Sequence, residues 1–220
     1  GYIAQLYEIS ALQIAATPGT INEAGTRQLS AGLLLDDATT LPVAASSVTW
    51  SVQSGPLTGI STGGLATAAA VYQDTAAVAR GTYQTFTATT SLTVLNILPD
   101  NFSPYAGDGL PDDWQVQYFG IDNPLAGPLI DPDSDCWNNL FEYNACLVPT
   151  DPLSAFSMRI SDVTGGGHQV SFSPRLAGCE YTLMGSSDLT LWAPVGGTIN
   201  DAGTVRAILD PAGAGSRRFY

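Results

Sequence analysis

Four stretches of this chain alternate apolar and polar residues: ISALQIAA (9–16), TRQLSAGLLL (26–35), SVTWSVQ (47–53) and TFTATTSLTVLNI (85–97). A period of two sends successive side chains to opposite faces, which suits a half-buried strand and not a helix. The turn signals TPGT, LDDAT, QSGPLTG and ARGT lie between the runs. Short strands at that spacing predict a β-sandwich over residues 1–97. Trp50 falls mid-strand, where a core or half-buried tryptophan is expected.

Composition permits packed cores. Hydrophobic residues make up 45% of the chain and charged residues only 12%, which excludes a disordered polymer. Length allows two or three small domains. The net charge is −13 and all seven basic residues are arginines. Phosphate binding needs a basic surface, so nucleic acid is excluded as a partner, and an anionic membrane surface with it. No apolar run approaches the roughly 18 residues of a membrane span.

The opening GYIAQLYEIS has neither a basic n-region nor a small-residue cleavage site. The expectation is a chain whose signal peptide has been removed, or a piece of a longer precursor, lying outside the cell or on its surface. Residues 1–12 are apolar and strand-like, so Tyr2, Ile3, Leu6, Tyr7 and Ile9 are candidates for a donor or edge strand. Completing a neighbour's sheet would make a head-to-tail polymer; folding back as the first strand of its own sandwich is the alternative.

Residues 98–152 change character. Ten of the 20 acidic residues fall there, interleaved with Trp114, Tyr118, Phe119, Trp137, Phe141 and Tyr143. A plain solvated linker has no use for such aromatics, so this stretch is expected to be a short helical linker that binds calcium (Ca2+). With Asp131 as position 1 of a twelve-residue loop, Asp133 and Asp135 take positions 3 and 5. Trp137 offers its carbonyl at position 7, Asn139 falls at position 9, and Glu142 stands at position 12 for bidentate binding. That is the ligand order of an EF-hand-type loop, and calcium wants six to eight such oxygens. Position 6, normally a glycine at positive φ, is Cys136, a departure worth about 1 kcal/mol. A metal-free acidic loop is the alternative.

A second candidate lies upstream in GDGLPDDWQVQYFG. Asp108, Gly109 and Asp112 would be positions 5, 6 and 9, with Gln115 at position 12. Positions 1 and 3 would be Pro104 and Ala106, which carry no side-chain oxygen; Asp100 and Asp113 stand nearby. Alternatively Pro111 simply starts a helix whose N-terminus Asp112 and Asp113 favour.

Residues 153–220 return to strand patterning in FSMRIS, HQVSFSP, EYTLMGSS, TVRAIL and RRFY, and are expected to form a small antiparallel β domain. Cys136, Cys146 and Cys179 permit one disulfide: Cys146–Cys179 would tie the linker to the last domain, and Cys136–Cys146 is the local competitor. The sequon at Asn101 is a glycan candidate, although Pro104 follows it.

Three resemblances bear on these segments. The motifs GTRQLSA, VTWSV and GLATA resemble a group 2 bacterial immunoglobulin-like domain, which implies a sandwich used as a spacer or adhesive module. The run DGLPDDWQVQYFG followed by DPDSDCWNNLFEYNACLVPTDP resembles the thrombospondin type 3 and dockerin-like calcium repeats of secreted bacterial proteins. It implies structural ligand roles for Asp131, Asp133, Asp135, Asn139 and Glu142. The paired helix surface of true dockerins is missing, so cohesin binding is not implied. The piece YTLMGSSDLTLWAPVGG, with the closing RRFY, resembles a small β module at the end of secreted bacterial proteins.

Catalysis finds little support. His168 is the one histidine and sits in a glycine turn, TGGGHQV. There is no G-x-S-x-G, no zinc triad and no phosphate-binding glycine loop. Two non-enzymatic readings follow: a calcium-stiffened subunit of an extracellular filament joined by strand exchange, or a spacer or adhesive tail of a larger secreted protein, with a polysaccharide as a possible ligand.

Overall fold

The computed structural model describes residues 7–211 and 217–220. The chain is mainly β and divides into two compact units, 1–123 and 124–220.

Among the described residues the first unit has nine strands: β1 (Ile9–Ala16), β2 (Thr20–Asn22), β3 (Thr26–Leu35), β4 (Thr40–Val43), β5 (Thr49–Ser54), β6 (Leu57–Ile60), β7 (Leu65–Ala68), β8 (Thr75–Tyr83) and β9 (Phe86–Leu95). One sheet runs β1-β3-β7-β6, with β4 alongside the later half of β3; the other runs β2-β9-β8-β5. β2 is parallel to β9 and the remaining pairs are antiparallel. With β2 and β4 set aside, the strands lie first-second-fifth-fourth and third-sixth-seventh, the order of an immunoglobulin constant-type sandwich. Ile21, Leu29, Leu57, Leu92 and Val94 fill the core with Trp50 at its margin. The Trp50 indole donates to the Ala45 carbonyl, 2.8 Å.

One expectation needs correcting here. ARGT is not a turn: residues 79–82 lie inside β8, and the chain reverses after Tyr83, where Gln84 takes φ 52°. A Cβ at Gly81 would stand 3.0 Å from Val48 and 3.3 Å from the Trp50 ring, so a side chain there would push on both. Of the donor or edge strand expected over 1–12, the described part begins β1, which stands at the edge of its sheet and pairs with β3. Ile9, Ala11 and Leu12 pair with Leu35, Leu34 and Leu33 of the same chain, and Leu12 is buried. Tyr7 is half exposed outside any strand. Tyr2, Ile3 and Leu6 lie outside the described residues.

The sandwich leads into α1 (Asp112–Phe119). Glu23, buried at the sandwich end, accepts N–H bonds from Val71, Ile97 and Leu98, which fixes the exit of β9. The stretch expected as a single linker, 98–152, is therefore shared between the units: residues up to 123 are fastened to the sandwich side. Tyr72 and Phe102 meet edge to face, and Tyr105 accepts the Asn123 N–H while donating to Gly120.

The second unit begins with the acidic loop and α2 (Asn139–Ala145). Then come β10 (Ser157–Asp162), β11 (His168–Ser173), β12 (Met184–Gly185), β13 (Ala193–Pro194), β14 (Thr198–Ala202) and β15 (Val205–Asp210). β10-β11-β15-β14 form an antiparallel sheet and β12-β13 a two-stranded one. The strand expected over EYTLMGSS is cut short at Gly185 because side chains capture the backbone beyond it. Ser186 Oγ accepts from the Asp188 and Leu189 N–H groups, and Asp188 accepts from Thr190 and Leu191. The closing residues join this unit through Phe219, which bridges Ser186, and through Arg218 and Tyr220, both donating to buried Asp210.

Candidate metal centre

The loop ahead of α2 is shaped by its own carboxylates. Asp131 accepts from the Ser134 N–H (2.8 Å) and the Cys136 N–H (3.0 Å), while Asp135 accepts from Trp137 (2.8 Å). These bonds wrap the chain tightly enough that Ser134 and Cys136 both adopt positive φ, 66° and 82°. Wrapping brings Asp131, Asp133 and Asp135 together, with one oxygen from each inside 4.8 Å of the others.

The next two positions come from the first turn of α2. Asn138 caps it, accepting from the Phe141 N–H at 2.9 Å. Asn139 is fully buried, and its Nδ2 donates to the carbonyls of Leu125 and Gly127, both 2.8 Å. Its Oδ1 has no donor. Glu142 is also fully buried, and neither of its carboxylate oxygens has a donor. Asp133 and Asp135 each leave one buried oxygen in the same condition.

An ionised group stripped of water and left without a hydrogen bond is costly. The electrostatics register this: burial first, then the like charges of Asp133, Asp135 and Asp131, push the Glu142 carboxyl up to about 7. Asp133 is raised as well, by burial foremost and by its aspartate neighbours. A divalent cation held by the Asp131, Asp133 and Asp135 oxygens would offset this repulsion; Glu142 feels the charge of all three but lies outside the group whose oxygens come within 4.8 Å. Were Glu142 and Asn139 to close onto the three aspartates, with the Trp137 carbonyl, the shell would number seven oxygens.

α2 also carries the loop into the β module. The Trp137 ring stacks on Phe141, Phe141 meets Phe156, and Phe156 stacks on Phe172 of β11. Cys146, the αL C-cap of α2, is joined to Cys179 by a disulfide, and Cys136 remains an exposed thiol. His168 stands at the start of β11 against Asp162, 2.9 Å away, remote in sequence from this loop.

The upstream candidate takes a form that spacing alone did not give. Asp100, and not Pro104, accepts the backbone N–H groups of this segment, from Gly107 and Gly109. Asp108 accepts from Leu110, and Asp112 from the Asn101 and Phe102 N–H groups. Asp113 turns to the Trp114 N–H and takes no part. Burial foremost holds Asp112 above the usual carboxylate range, with Asp100 and Asp108 adding repulsion. Its carboxylates do not converge as closely as those of the downstream loop. Asn101, the glycan candidate, is half-buried: its Oδ1 is buried and its backbone N–H donates to Asp112.

No family model and no curated protein matches this chain. Reading its role therefore rests on the site.

Proposed function

We propose that the chain is a non-catalytic structural module of an extracellular protein, whose second unit is held in shape by calcium bound at Asp131, Asp133, Asp135, Trp137, Asn139 and Glu142. The observation that carries this reading is the set of five buried, donorless oxygens on Asp133, Asp135, Asn139 and Glu142. An all-oxygen shell of about seven, with a carboxylate placed for bidentate contact, suits calcium better than magnesium, which demands a smaller octahedral shell and keeps its waters.

The disulfide supports an oxidising compartment, and a sandwich of immunoglobulin order supports a spacer or adhesive tail. The filament reading draws less support. Exchange of the part from Ile9 onward would need that part to leave β3 and expose Leu12, which is buried in its own sandwich. The surface or polysaccharide such a tail would hold is identified by neither unit.

Thermal melts and limited proteolysis of the whole chain, in calcium and in excess chelator, test the proposal. Calcium should raise the melting temperature and protect the segment 124–156. Identical melts and digests in the two buffers would sink the calcium reading. Regular filaments seen by electron microscopy in calcium would instead favour the subunit over the tail.

A further inference from the structure

The second unit holds a cavity of about 450 Å³ beside its disulfide, bordered by Phe141 and Asn144 of α2, by Phe156, and by Glu180 and Tyr181. A cavity of that size takes a small ligand whole. Cys146 caps α2, and its bond to Cys179 brings residues 178–181 against the end of that helix. Phe141 and Phe156 meet edge to face, with centroids 6.0 Å apart and planes at 65°, and so form a corner. Each ring is backed by another, Phe141 by Trp137 and Phe156 by Phe172. Phe172 also packs on Tyr181, at 5.0 Å, so all three bordering rings belong to one packed aromatic row. Rings held this way are in place before a ligand arrives.

The polar groups at this cavity are acceptors. Asn144 commits its Nδ2 to the Leu140 carbonyl at 2.8 Å, so Oδ1 is the unengaged end of that amide. The Tyr181 hydroxyl accepts the Leu176 N–H. Glu180 is exposed, and among the described residues no arginine lines the cavity and no ion pair engages Glu180. What is offered to a ligand is therefore a carboxylate and an amide oxygen beside aromatic rings.

We propose that this cavity binds an organic cation, with a guanidinium, amidinium or alkylammonium head on an apolar body. Aromatic faces attract such heads through the ring quadrupole, and planar cations also stack on them. Glu180 supplies the counter-charge and accepts charge-assisted hydrogen bonds from the head. An anion would be repelled by Glu180 and by a chain of net charge −13. A carbohydrate also stacks on rings, but its hydroxyls ask for donors as much as acceptors, and these side chains offer few. The proposal goes beyond the calcium reading and stands without it, since none of these groups is a proposed ligand of the ion.

Benzamidine, its neutral analogue benzamide and the anion benzoate test the sign of the charge. Amide proton–nitrogen correlation spectra of the whole chain follow each titration. Benzamidine should bind with a dissociation constant on the order of 1 mM and shift the amides of residues 144–146 and 178–181. Benzamide should bind at least about fivefold more weakly, and benzoate more weakly still. Glu180→Gln should bring benzamidine down to the level of benzamide. Glu180→Arg should reverse the order so that benzoate binds best, a gain that misfolding cannot produce. Equal binding of benzamidine and benzamide to the wild type would overturn the cation and leave an apolar pocket. Shifts at these residues from cellobiose but not from benzamidine would overturn it in favour of a carbohydrate. No shift there from benzamidine at about 20 mM would overturn the site itself.

Discussion

The Trp137 ring lies flat on Phe141, with centroids 3.9 Å apart and planes 17° from parallel. One residue belongs to the acidic loop and the other to α2, so the stack closes the loop onto its helix. The Trp137 indole also donates to the Phe156 carbonyl, at 3.2 Å, and so reaches the β module. Trp137→Ala should destabilise the second unit by about 2–3 kcal/mol, less than a fully buried tryptophan would. Urea unfolding followed by circular dichroism measures it, and Trp137→Phe should recover most of the loss.

Glu142 makes a prediction with opposite signs in two buffers. In chelator the wild-type loop carries a buried carboxylate crowded by three aspartates. Glu142→Gln removes that repulsion and should melt higher than wild type there. In calcium the order should reverse, because a site filled at a hundred times its dissociation constant stabilises by about 2.7 kcal/mol and the variant forfeits most of it. Paired melts in the two buffers decide the matter; a variant that is lower in both refutes the electrostatic account.

Cys136 holds φ 82° with a side chain, at the position where such loops turn sharply. Glycine adopts that conformation without the Cβ clash. Cys136→Gly should therefore favour the folded loop by about 1 kcal/mol, equivalent to roughly fivefold in calcium affinity. Titration calorimetry on the two proteins provides the comparison, and Cys136→Ser, which keeps the side chain, should gain nothing.

Glu23 governs acid sensitivity in the first unit. Burial alone would raise its carboxyl. The N–H groups of Val71, Leu98 and Ile97 and the Asn101 side chain more than offset that, holding it below its ordinary value of 4.5. A depressed folded value means the stabilisation is complete above pH 4.5 and fades as pH falls through the lower folded value. Glu23→Gln should cost about 1–3 kcal/mol at pH 7. The gap from wild type should narrow in acid, which denaturant melts at neutral and low pH would reveal.

Much of this architecture can be read along the chain. The alternation in ISALQIAA and TRQLSAGLLL marks β1 and β3 to the residue, because pleating is a property of neighbouring positions. The aspartates of DPDSDC lie close enough in sequence that their own backbone bonds gather them, so three of the proposed cation ligands are legible in the spacing. Other features depend on groups the spacing cannot bring together. Gly81 looks like a turn residue until Trp50 and Val48 are seen against it. Asp100 looks unrelated to Gly107 and Gly109 until the fold brings it against their N–H groups.

What the sequence determined by itself is local: the strand period, the helix starts, and a run of oxygens at calcium spacing. Tertiary structure alone decided that Cys179 is the partner of Cys146, that Glu23 holds the exit of β9, and that Asn139 and Glu142 are sealed from water with oxygens unmatched. The reason is physical. Periodicity and turn chemistry act between residues a few positions apart, whereas burial and pairing depend on which distant segments arrive, and that is settled only when the cores pack.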